Sequence, residues 1–440
     1  MGNRMQDPAL CRAYFVREAA AIKGVVSYTA AVLTLLCCSL VPSRPANGQT
    51  PAIAAAPDYY DYDSTSRFTF SETPTGMVDG IRVLRIEYPS PVITPYAEDN
   101  TVTAYLFLPP GRGPHPAMVA LHEWNPGSTN GGFRLCRAIA SADVAALLVV
   151  EPFSLNRRAN EPRGEDANIL SSSVPGMSQA LRQVALDVRR GLDYLALRPD
   201  VDPERLGLCG ISLGGIVSGV VAKVDPRVKV VLSLAGGADF AHGFWNGMLT
   251  RKFRKGILRA GYTYETFRSA MIPFEAGKWS RQFDPDNALL IDGRYDLVVL
   301  PYQARALSDA LGGAKIVWTN TGHYGMISTA ERSQRLAVRF LRARFFGETS
   351  GYHPPDTLPS RTIKLGFLVG GHEGLSPVIA TQLFNFDGPG RYSLDGQLTL
   401  HGLSAGLSAR LTQTLSLGVE FPLLHGASKP EPYLLAHIVL

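Results

Sequence analysis

Few of the features that mark a nucleic-acid-binding, redox or metal-dependent protein occur in this sequence. Charged residues occupy only 18% of its 440 positions, and the net charge of +5 is too small to indicate a nucleic-acid partner. Zinc-finger, helix-turn-helix, dinucleotide-binding and phosphate-binding signatures are absent. The pair His122-Glu123 lacks the second histidine of a zinc-protease helix, because Pro126 stands at that position. We therefore expect no metal, no cofactor and no nucleic acid.

Cysteine is also scarce, with five in the chain. Three of the five precede residue 48, which leaves Cys136 and Cys209 for the rest of the sequence. Both lie in apolar segments, where an isolated cysteine behaves as a small hydrophobic residue. The sequence therefore predicts two buried thiols rather than a disulfide.

The first 48 residues have the composition of a signal peptide. Four basic residues precede an apolar run over 25–41, and small residues at 46–48 supply a cleavage site. The alternative is an uncleaved membrane anchor, for which the apolar run is barely long enough. Residues 49–80 are rich in alanine, proline, tyrosine and aspartate, which indicates an extended linker. We expect an exported protein, located in the periplasm, the cell envelope or the medium.

From residue 81 to 349 the pattern alternates between apolar runs of strand length and longer amphipathic segments. Such alternation predicts an α/β domain, with a mostly parallel sheet covered by helices on both faces. Strands are predicted at 81–88, 101–108, 116–122, 144–151, 205–211, 228–235, 287–292 and 314–319. Helices are predicted at 131–142, 178–197, 213–224, 301–312 and 327–345.

Residues Cys209-Gly210-Ile211-Ser212-Leu213-Gly214-Gly215 are the most informative stretch. They place Ser212 between two glycines in the GxSxG spacing, at the junction of a predicted strand and a predicted helix. That junction is typical of a nucleophile elbow, in which a sharp turn exposes a serine hydroxyl above the sheet. The following helix directs its N-terminal amides to the place where an oxyanion would form.

Two further motifs complete a catalytic triad in the chain order serine, acid, histidine. Asp296 follows the strand at 287–292, and His323 follows the strand at 314–319. We assign Ser212 as nucleophile, His323 as general base and Asp296 as the group that orients the imidazole. Asp292, at the strand end, is the rival acid, and a turn carboxylate is its alternative role.

On these motifs, residues 82–346 resemble the α/β-hydrolase superfamily, nearest to its dienelactone-hydrolase-like and acetyl-xylan-esterase-like branches. The runs 120–124 and 191–205 are also similar to that family. Dienelactone hydrolases use a cysteine nucleophile where this chain has Ser212, so the resemblance implies a serine esterase. It also implies an oxyanion hole that combines the backbone amide of Leu213 with a second backbone amide. Trp124 is the first candidate for this second donor, and Glu123 is the next. For Glu123, an ordinary role as a surface or ion-paired carboxylate is given equal weight.

Two segments interrupt or follow the alternating pattern. Residues 238–286 form an aromatic-rich insertion. We favour the interpretation that it caps the active site over the alternative that it is a purely structural excursion.

Residues 350–440 show period-two alternation with turn residues between the runs, which predicts an antiparallel β-module. Membrane hairpins are the sharper interpretation of this module. Because a transmembrane barrel has at least eight strands, the five or six predicted here would need partner chains to close one.

The sequence thus predicts an exported serine hydrolase, most simply a carboxylesterase acting on a small-molecule or carbohydrate-linked ester through an acyl-serine intermediate. One alternative is a peptidase resembling prolyl oligopeptidases, although the stretch before residue 80 is too short for their propeller. The other is a non-catalytic, envelope-associated binding protein on a hydrolase scaffold. Membrane association would then use the N-terminal segment or the C-terminal β-module.

Overall fold

A computed structural model describes residues 58–64, 67–125, 127–158, 168–360, 362–370, 374–385, 391–400, 402–423 and 431–440. The predicted signal peptide, residues 1–48, lies outside the described residues. Within the described part, no helix has both the length and the apolar character needed to cross a bilayer.

One sheet of ten strands forms the centre of the α/β part of the described chain. Its strands are β1 (Ser71–Val78), β2 (Ile81–Pro89), β3 (Thr101–Leu108), β4 (His115–Leu121), β5 (Ala145–Val149), β6 (Val201–Ile211), β7 (Val228–Leu234), β8 (Ala288–Gly293), β9 (Lys315–Thr319) and β10 (Thr357–Leu358). They lie in the order β1-β2-β3-β5-β4-β6-β7-β8-β9-β10. The first three are antiparallel to their neighbours, and every pair from β5 to β10 is parallel. The carboxyl ends of β4 and β6 to β9 therefore meet at one edge.

Helices cover both faces of this sheet, as the fully buried central strands require. The described helices are α1 (Asn130–Ala140), α2 (Val174–Ala196), α3 (Leu213–Val224), α4 (Phe240–Asn246), α5 (Arg254–Arg259), α6 (Tyr264–Ala270), α7 (Pro301–Ala310) and α8 (Ala330–Phe346). One hydrophobic cluster packs α2, α3 and α7 on one face, and a second packs α1 and α8 on the other. The predicted fold class is confirmed, and the strand order with a serine at the β6–α3 junction is that of the α/β-hydrolase fold.

Part of the predicted linker belongs to the folded domain, so the prediction of a linker through residue 80 is wrong for its second half. Strand β1 pairs with β2 along the edge of the sheet. Upstream, Tyr60 is buried and donates a hydrogen bond to the carbonyl of Pro273. The sequence did not predict this strand, because its proline and polar residues interrupt the apolar alternation that indicates a strand. Edge strands tolerate such residues.

A buried arginine ties the segment after β5 to the core. The Arg157 guanidinium donates to the Val150 carbonyl at 2.8 Å and to Asp187 Oδ2 at 2.8 Å. It also donates to the carbonyl of Asp99 at 2.5 Å. These groups are shielded from water, so the arginine supplies the opposite charge for a buried carboxylate whose other oxygen accepts a hydrogen bond from Ser90 Oγ.

The insertion between β7 and β8 packs as part of the domain. It contains α4, α5 and α6, and its aromatic residues Phe240, Phe244, Phe267 and Phe274 are buried in the first hydrophobic cluster. Glu275 holds its start in place by accepting hydrogen bonds from the backbone N–H groups of Phe240 and Ala241. Since the insertion follows the carboxyl end of β7, it lies at the edge where the catalytic motifs occur.

The C-terminal module is confirmed as antiparallel, and its six described strands form a closed barrel. They are β11 (Ile363–Gly370), β12 (Gly374–Asn385), β13 (Tyr392–Thr399), β14 (Leu403–Arg410), β15 (Leu415–Pro422) and β16 (Glu431–Val439). Strand β16 pairs with both β15 and β11, which closes the circle. The expectation that these strands need partner chains applies to a transmembrane barrel of eight or more strands. Within the described residues, six strands of one chain close on themselves around a lumen narrow enough for their own side chains to fill.

Candidate active site

The backbone at Ser212 has the geometry of a nucleophile elbow. Ser212 has φ 55° and ψ −114°, a conformation that costs a non-glycine residue strain and that clusters at functional sites. It follows β6 directly and precedes α3, and its N–H donates to the carbonyl of Leu234 at 2.8 Å. Leu213 is the first residue of α3, so its N–H has no acceptor within the helix.

The two glycines of the motif are required by close approach of the backbone. A Cβ on Gly210 would collide with the carbonyl group of Gly214. A Cβ on Gly214 would lie 2.6 Å from Leu121 Cβ and 2.7 Å from the carbonyl oxygen of His122. Both distances are too short for real contacts. The turn that carries Ser212 therefore forms only with glycine at these positions.

The structure brings Asp296 and His323 together. His323 Nδ1 lies 2.6 Å from Asp296 Oδ2. The other oxygen of Asp296 accepts hydrogen bonds from the N–H groups of Val298 at 2.7 Å and Val299 at 2.9 Å. Because Asp296 is buried and bound on both oxygens, its orientation toward the imidazole is fixed.

The electrostatics of His323 favour its charged form. Burial disfavours the imidazolium, but the charge of Asp296, the hydrogen bond that His323 donates to it and the charge of Glu123 outweigh burial and raise the pKa of His323. Since Nδ1 is engaged with Asp296, Nε2 is the nitrogen left for proton transfer. This arrangement suits a general base that becomes positively charged during the reaction.

Asp292, the rival acid, has a different environment. It is buried at the end of β8, and one of its oxygens has no hydrogen-bond partner among the described residues. Burial and the negative charge of Asp296 raise the pKa of Asp292 well above its ordinary value. The described residues hydrogen-bonded to the His323 ring include Asp296 and not Asp292.

The loop after β4 is ordered by a neutral histidine. His122 Nδ1 lies 2.7 Å from the carbonyl oxygen of Glu123, and Nε2 accepts a hydrogen bond from the Glu151 N–H at 3.1 Å. Burial lowers the pKa of His122, so the ring is neutral with its proton on Nδ1. The backbone at Glu123 and Trp124 is thereby held next to Gly214, which contacts the carbonyl of His122.

Trp124 joins this loop to the insertion. Its indole N–H donates to Asn168 Oδ1 at 3.0 Å, and its ring packs against Phe253 with centroids 6.3 Å apart. The Lys252 ammonium lies 5.7 Å from the centroid of the same ring. The aromatic residues of the insertion therefore reach the loop that carries the predicted oxyanion residues.

Sequence reasoning missed a set of contacts from the barrel to the catalytic loops. The N–H of Gly322 donates to the carbonyl of Leu440 at 2.7 Å, one residue before His323. The Arg410 guanidinium lies 3.6 Å from the centroid of the Tyr295 ring, one residue before Asp296. No local pattern announces these contacts, because the partners are far apart in sequence. The glycine before the histidine is the one signal, since a Cβ on Gly322 would collide with the Val439 carbonyl.

The described residues bring together no cluster of three or more side chains suited to holding a metal ion. Cys136 and Cys209 are both buried and free.

Comparison with known proteins gives similarities of limited extent. No family model matches the chain. A segment of 53 residues is 40% identical to the putative hydrolase YtaP of Bacillus subtilis (strain 168). The segment covers 12% of this chain and 18% of the length of that protein. The chain thus matches under a fifth of the length of this curated relative.

Several solved structures are similar over about two thirds of this chain. The acetyl xylan esterase of Paenibacillus sp. R4 is 19% identical with a TM-score of 0.49, over 63% of this chain and 89% of that one. Acetyl xylan esterase 1 of Thermoanaerobacterium sp. JW/SL YS485 is 18% identical with a TM-score of 0.49, over 64% and 91%. The acylaminoacyl peptidase of Pyrococcus horikoshii is 16% identical with a TM-score of 0.42, over 66% and 43%.

Proposed function

We propose that the protein is a serine hydrolase, and within that class a carboxylesterase that works through an acyl-serine intermediate. The observation that carries the proposal is the buried Asp296–His323 hydrogen bond, at the same sheet edge as a strained serine on a nucleophile elbow. Ser212, Asp296 and His323 follow three different strands, whose carboxyl ends lie at one edge of the sheet. A base oriented by a fixed carboxylate is what an alcohol nucleophile needs at neutral pH.

In the proposed reaction, Ser212 Oγ attacks the ester carbonyl while His323 Nε2 takes the hydroxyl proton. The tetrahedral intermediate collapses when the C–O bond to the alcohol breaks, and the imidazolium returns the proton to that leaving oxygen. Water then attacks the acyl-serine while His323 takes a proton from it. The bond from the acyl carbon to Ser212 Oγ breaks, the imidazolium returns the proton to Ser212 Oγ, and the acid is released. Asp296 stabilises the imidazolium in both steps and keeps the Nδ1 proton in place.

The oxyanion would be stabilised by backbone amides. The Leu213 N–H lies at the start of α3 without an intrahelical acceptor, where the helix dipole also favours negative charge. We assign the second donor to the backbone of the loop ordered by His122, with Trp124 first and Glu123 second. Two such donors contribute about 3 kcal/mol or more each to transition-state stabilisation in enzymes of this type.

The choice of ester over amide is supported by the printed descriptions of two similar structures, both acetyl xylan esterases, and is opposed by that of the acylaminoacyl peptidase. We propose a small acyl group on a small-molecule or carbohydrate alcohol as substrate. The apolar run that precedes residue 48 supports export, which we also propose.

The proposal is tested by active-site labelling and a substrate panel. A fluorophosphonate probe should label the full chain stoichiometrically, and Ser212→Ala should abolish labelling. Ser218→Ala is the matched control, because this serine also lies near the elbow, on α3, but its hydroxyl donates a hydrogen bond to the carbonyl of Gly214. p-Nitrophenyl acetate and acetylated xylo-oligosaccharides are compared with acylaminoacyl anilides. Absence of labelling in folded protein refutes the serine hydrolase, and a clear preference for anilides refutes only the esterase.

A further inference from the structure

The two parts of the chain distribute polarity in opposite ways. In the α/β part, apolar residues fill the interior, as in proteins folded in water. In the barrel, the alternating strand positions that point inward are largely polar, and those that point outward are largely apolar.

A polar network fills the barrel lumen. The Lys364 ammonium lies 2.6 Å from Asp395 Oδ2, and the same oxygen accepts a hydrogen bond from Ser408 Oγ at 2.8 Å. Two residues along the same strand from Asp395, Gln397 Nε2 donates to Tyr433 Oη at 2.8 Å. These side chains are buried, so the charged and hydrogen-bonding groups of this module lie inside it.

The outer surface consists of aliphatic side chains on every strand. Five of the outward residues, one on each strand from β11 to β15, are 45–52% exposed: Val369, Ile379, Leu398, Leu407 and Leu417. On β16, the outward Leu434 is partly exposed. Among the strand residues that the structure describes, no charged side chain alternates onto this outer face.

We infer that the outer face of the β11–β16 barrel is buried in the hydrocarbon of a lipid bilayer. Strands that alternate apolar-out and polar-in, closed so that no edge is left unpaired, are the pattern that lipid as solvent selects. Single-chain barrels of bacterial outer membranes have at least eight strands, and the six strands here differ from them in enclosing a narrower lumen that buried polar side chains fill. In water the same surface would expose a band of leucine, isoleucine and valine side chains, and a large contiguous apolar patch of this kind marks an interaction site on a protein. The inference is independent of the hydrolytic activity proposed above.

The distribution of the exposed aliphatic residues favours lipid over a second copy of the chain as the partner of the outer barrel face. A partner of standard size covers about 800 Å² on one side of a protein. The exposed aliphatic residues here lie on five of the six strands of a closed barrel, so one flat interface would leave most of them in water. Hydrocarbon surrounds the barrel on all sides.

The height of the band suits a thin bilayer. Strands β11, β13, β14 and β15 have eight residues each, which corresponds to about 26 Å along the strand. A tilt of about 40° reduces this height to roughly 20 Å, near the band of about 25 Å found on membrane barrels. The rim formed by Ile363, Arg410 and Val439 joins the α/β part, which places the catalytic loops next to one surface of the bilayer.

Spin labelling tests the inference position by position. The full chain, with Cys11, Cys37 and Cys38 replaced by serine, carries one new cysteine on the outer face, for example Ile379→Cys or Leu407→Cys. The matched control is Leu258→Cys, on α5 of the α/β part, where the leucine is 51% exposed. Each protein is labelled with a nitroxide and reconstituted into dilauroyl-phosphatidylcholine vesicles. Accessibility of the nitroxide to oxygen and to a nickel chelate is then measured by electron paramagnetic resonance.

We expect labels on the outer face of every barrel strand to be several-fold more accessible to oxygen than to nickel, with the opposite order at the control position. Because each label reports its own surroundings, binding of the N-terminal apolar run to the same vesicles does not alter the result. High nickel accessibility on the outer face would mean that water surrounds the barrel. Low accessibility to both reagents along one side would mean that another copy covers it. Either result overturns the inference.

Discussion

Replacing Asp296 by asparagine should disable the enzyme while leaving its shape intact. The N–H groups of Val298 and Val299 both donate to one oxygen of Asp296, so the amide oxygen of an asparagine must face them. Its NH₂ group then points at His323 Nδ1, which becomes an acceptor and shifts the imidazole proton to Nε2. A ring protonated at Nε2 cannot accept the Ser212 proton.

The size of the loss follows from charge and tautomer together. At a charge separation of about 4 Å and an effective dielectric constant of about 20, the carboxylate stabilises the imidazolium by about 4 kcal/mol. That energy corresponds to roughly a thousandfold in rate. The unfavourable tautomer adds to this loss, so we expect kcat to fall by about 10⁴, the size found for this exchange in another serine hydrolase.

The pH dependence of kcat/KM tests the role of Asp296 independently of the size of the rate loss. The pKa of His323 is raised above its ordinary value, so kcat/KM of the wild type should fall as the pH drops through a pKa above about 6.5. Without the Asp296 charge, burial dominates and the pKa of His323 decreases. The acid limb of the variant should therefore move to lower pH. The measurement is ester hydrolysis by the two proteins between pH 4 and 9.

Asp292→Asn is the matched control, since Asp292 is a second buried carboxyl four residues earlier. Its raised pKa favours the protonated form, which an amide imitates, and we expect kcat within about tenfold of wild type. If Asp296→Asn retained near-normal kcat with an unmoved acid limb, or if Asp292→Asn lost as much activity, the assignment of the acid would be refuted.

Three further changes test other parts of the structure. Gly210→Ala should prevent correct formation of the elbow, because its Cβ would collide with the Gly214 carbonyl, and the soluble, probe-labelled fraction should drop to a few per cent. Arg157→Met should lower the free energy of unfolding by about 3–5 kcal/mol in urea titrations, since it leaves a buried carboxylate without its partner. Arg410→Ala removes the cation over Tyr295 and should reduce kcat by about threefold to tenfold with KM little changed, whereas Arg410→Lys should recover part of it.

Each of these has an outcome that contradicts it. Gly127→Ala, where a Cβ meets no atom within 4 Å, should behave as wild type, and equal damage there would mean that Gly210 is not special. Unchanged urea stability of Arg157→Met would show that water reaches the cluster. An Arg410→Ala variant with altered KM and normal kcat would show that the contact acts on substrate binding instead.

The α/β part was predictable because its signals are local. Central strands such as β4 and β5 are unbroken apolar runs, and the helices between them have clear amphipathic spacing. Once these elements are placed, parallel pairing brings their carboxyl ends together, so the serine, acid and histidine motifs are expected at one edge. The hydrogen bond between His323 and Asp296 agrees with that expectation.

The less predictable features depend on distant partners or on edges. Pairing of β16 with β11 decides whether the C-terminal strands close, and no local pattern reveals it. Strand β1 carries Pro74 and little apolar character, so the sequence hides an edge strand. Arg157 lies in an irregular segment, where nothing in the neighbouring residues indicates that it is buried against Asp187.

The bond from the Gly322 N–H to the Leu440 carbonyl has a consequence for the order of synthesis. A ribosome delivers the whole ten-stranded sheet before it delivers the residue that steadies the histidine segment. A nascent chain can therefore possess its complete central scaffold while the imidazole still lacks its final support. The segment that carries the proposed base gains this hydrogen bond only once the distal strands are in place.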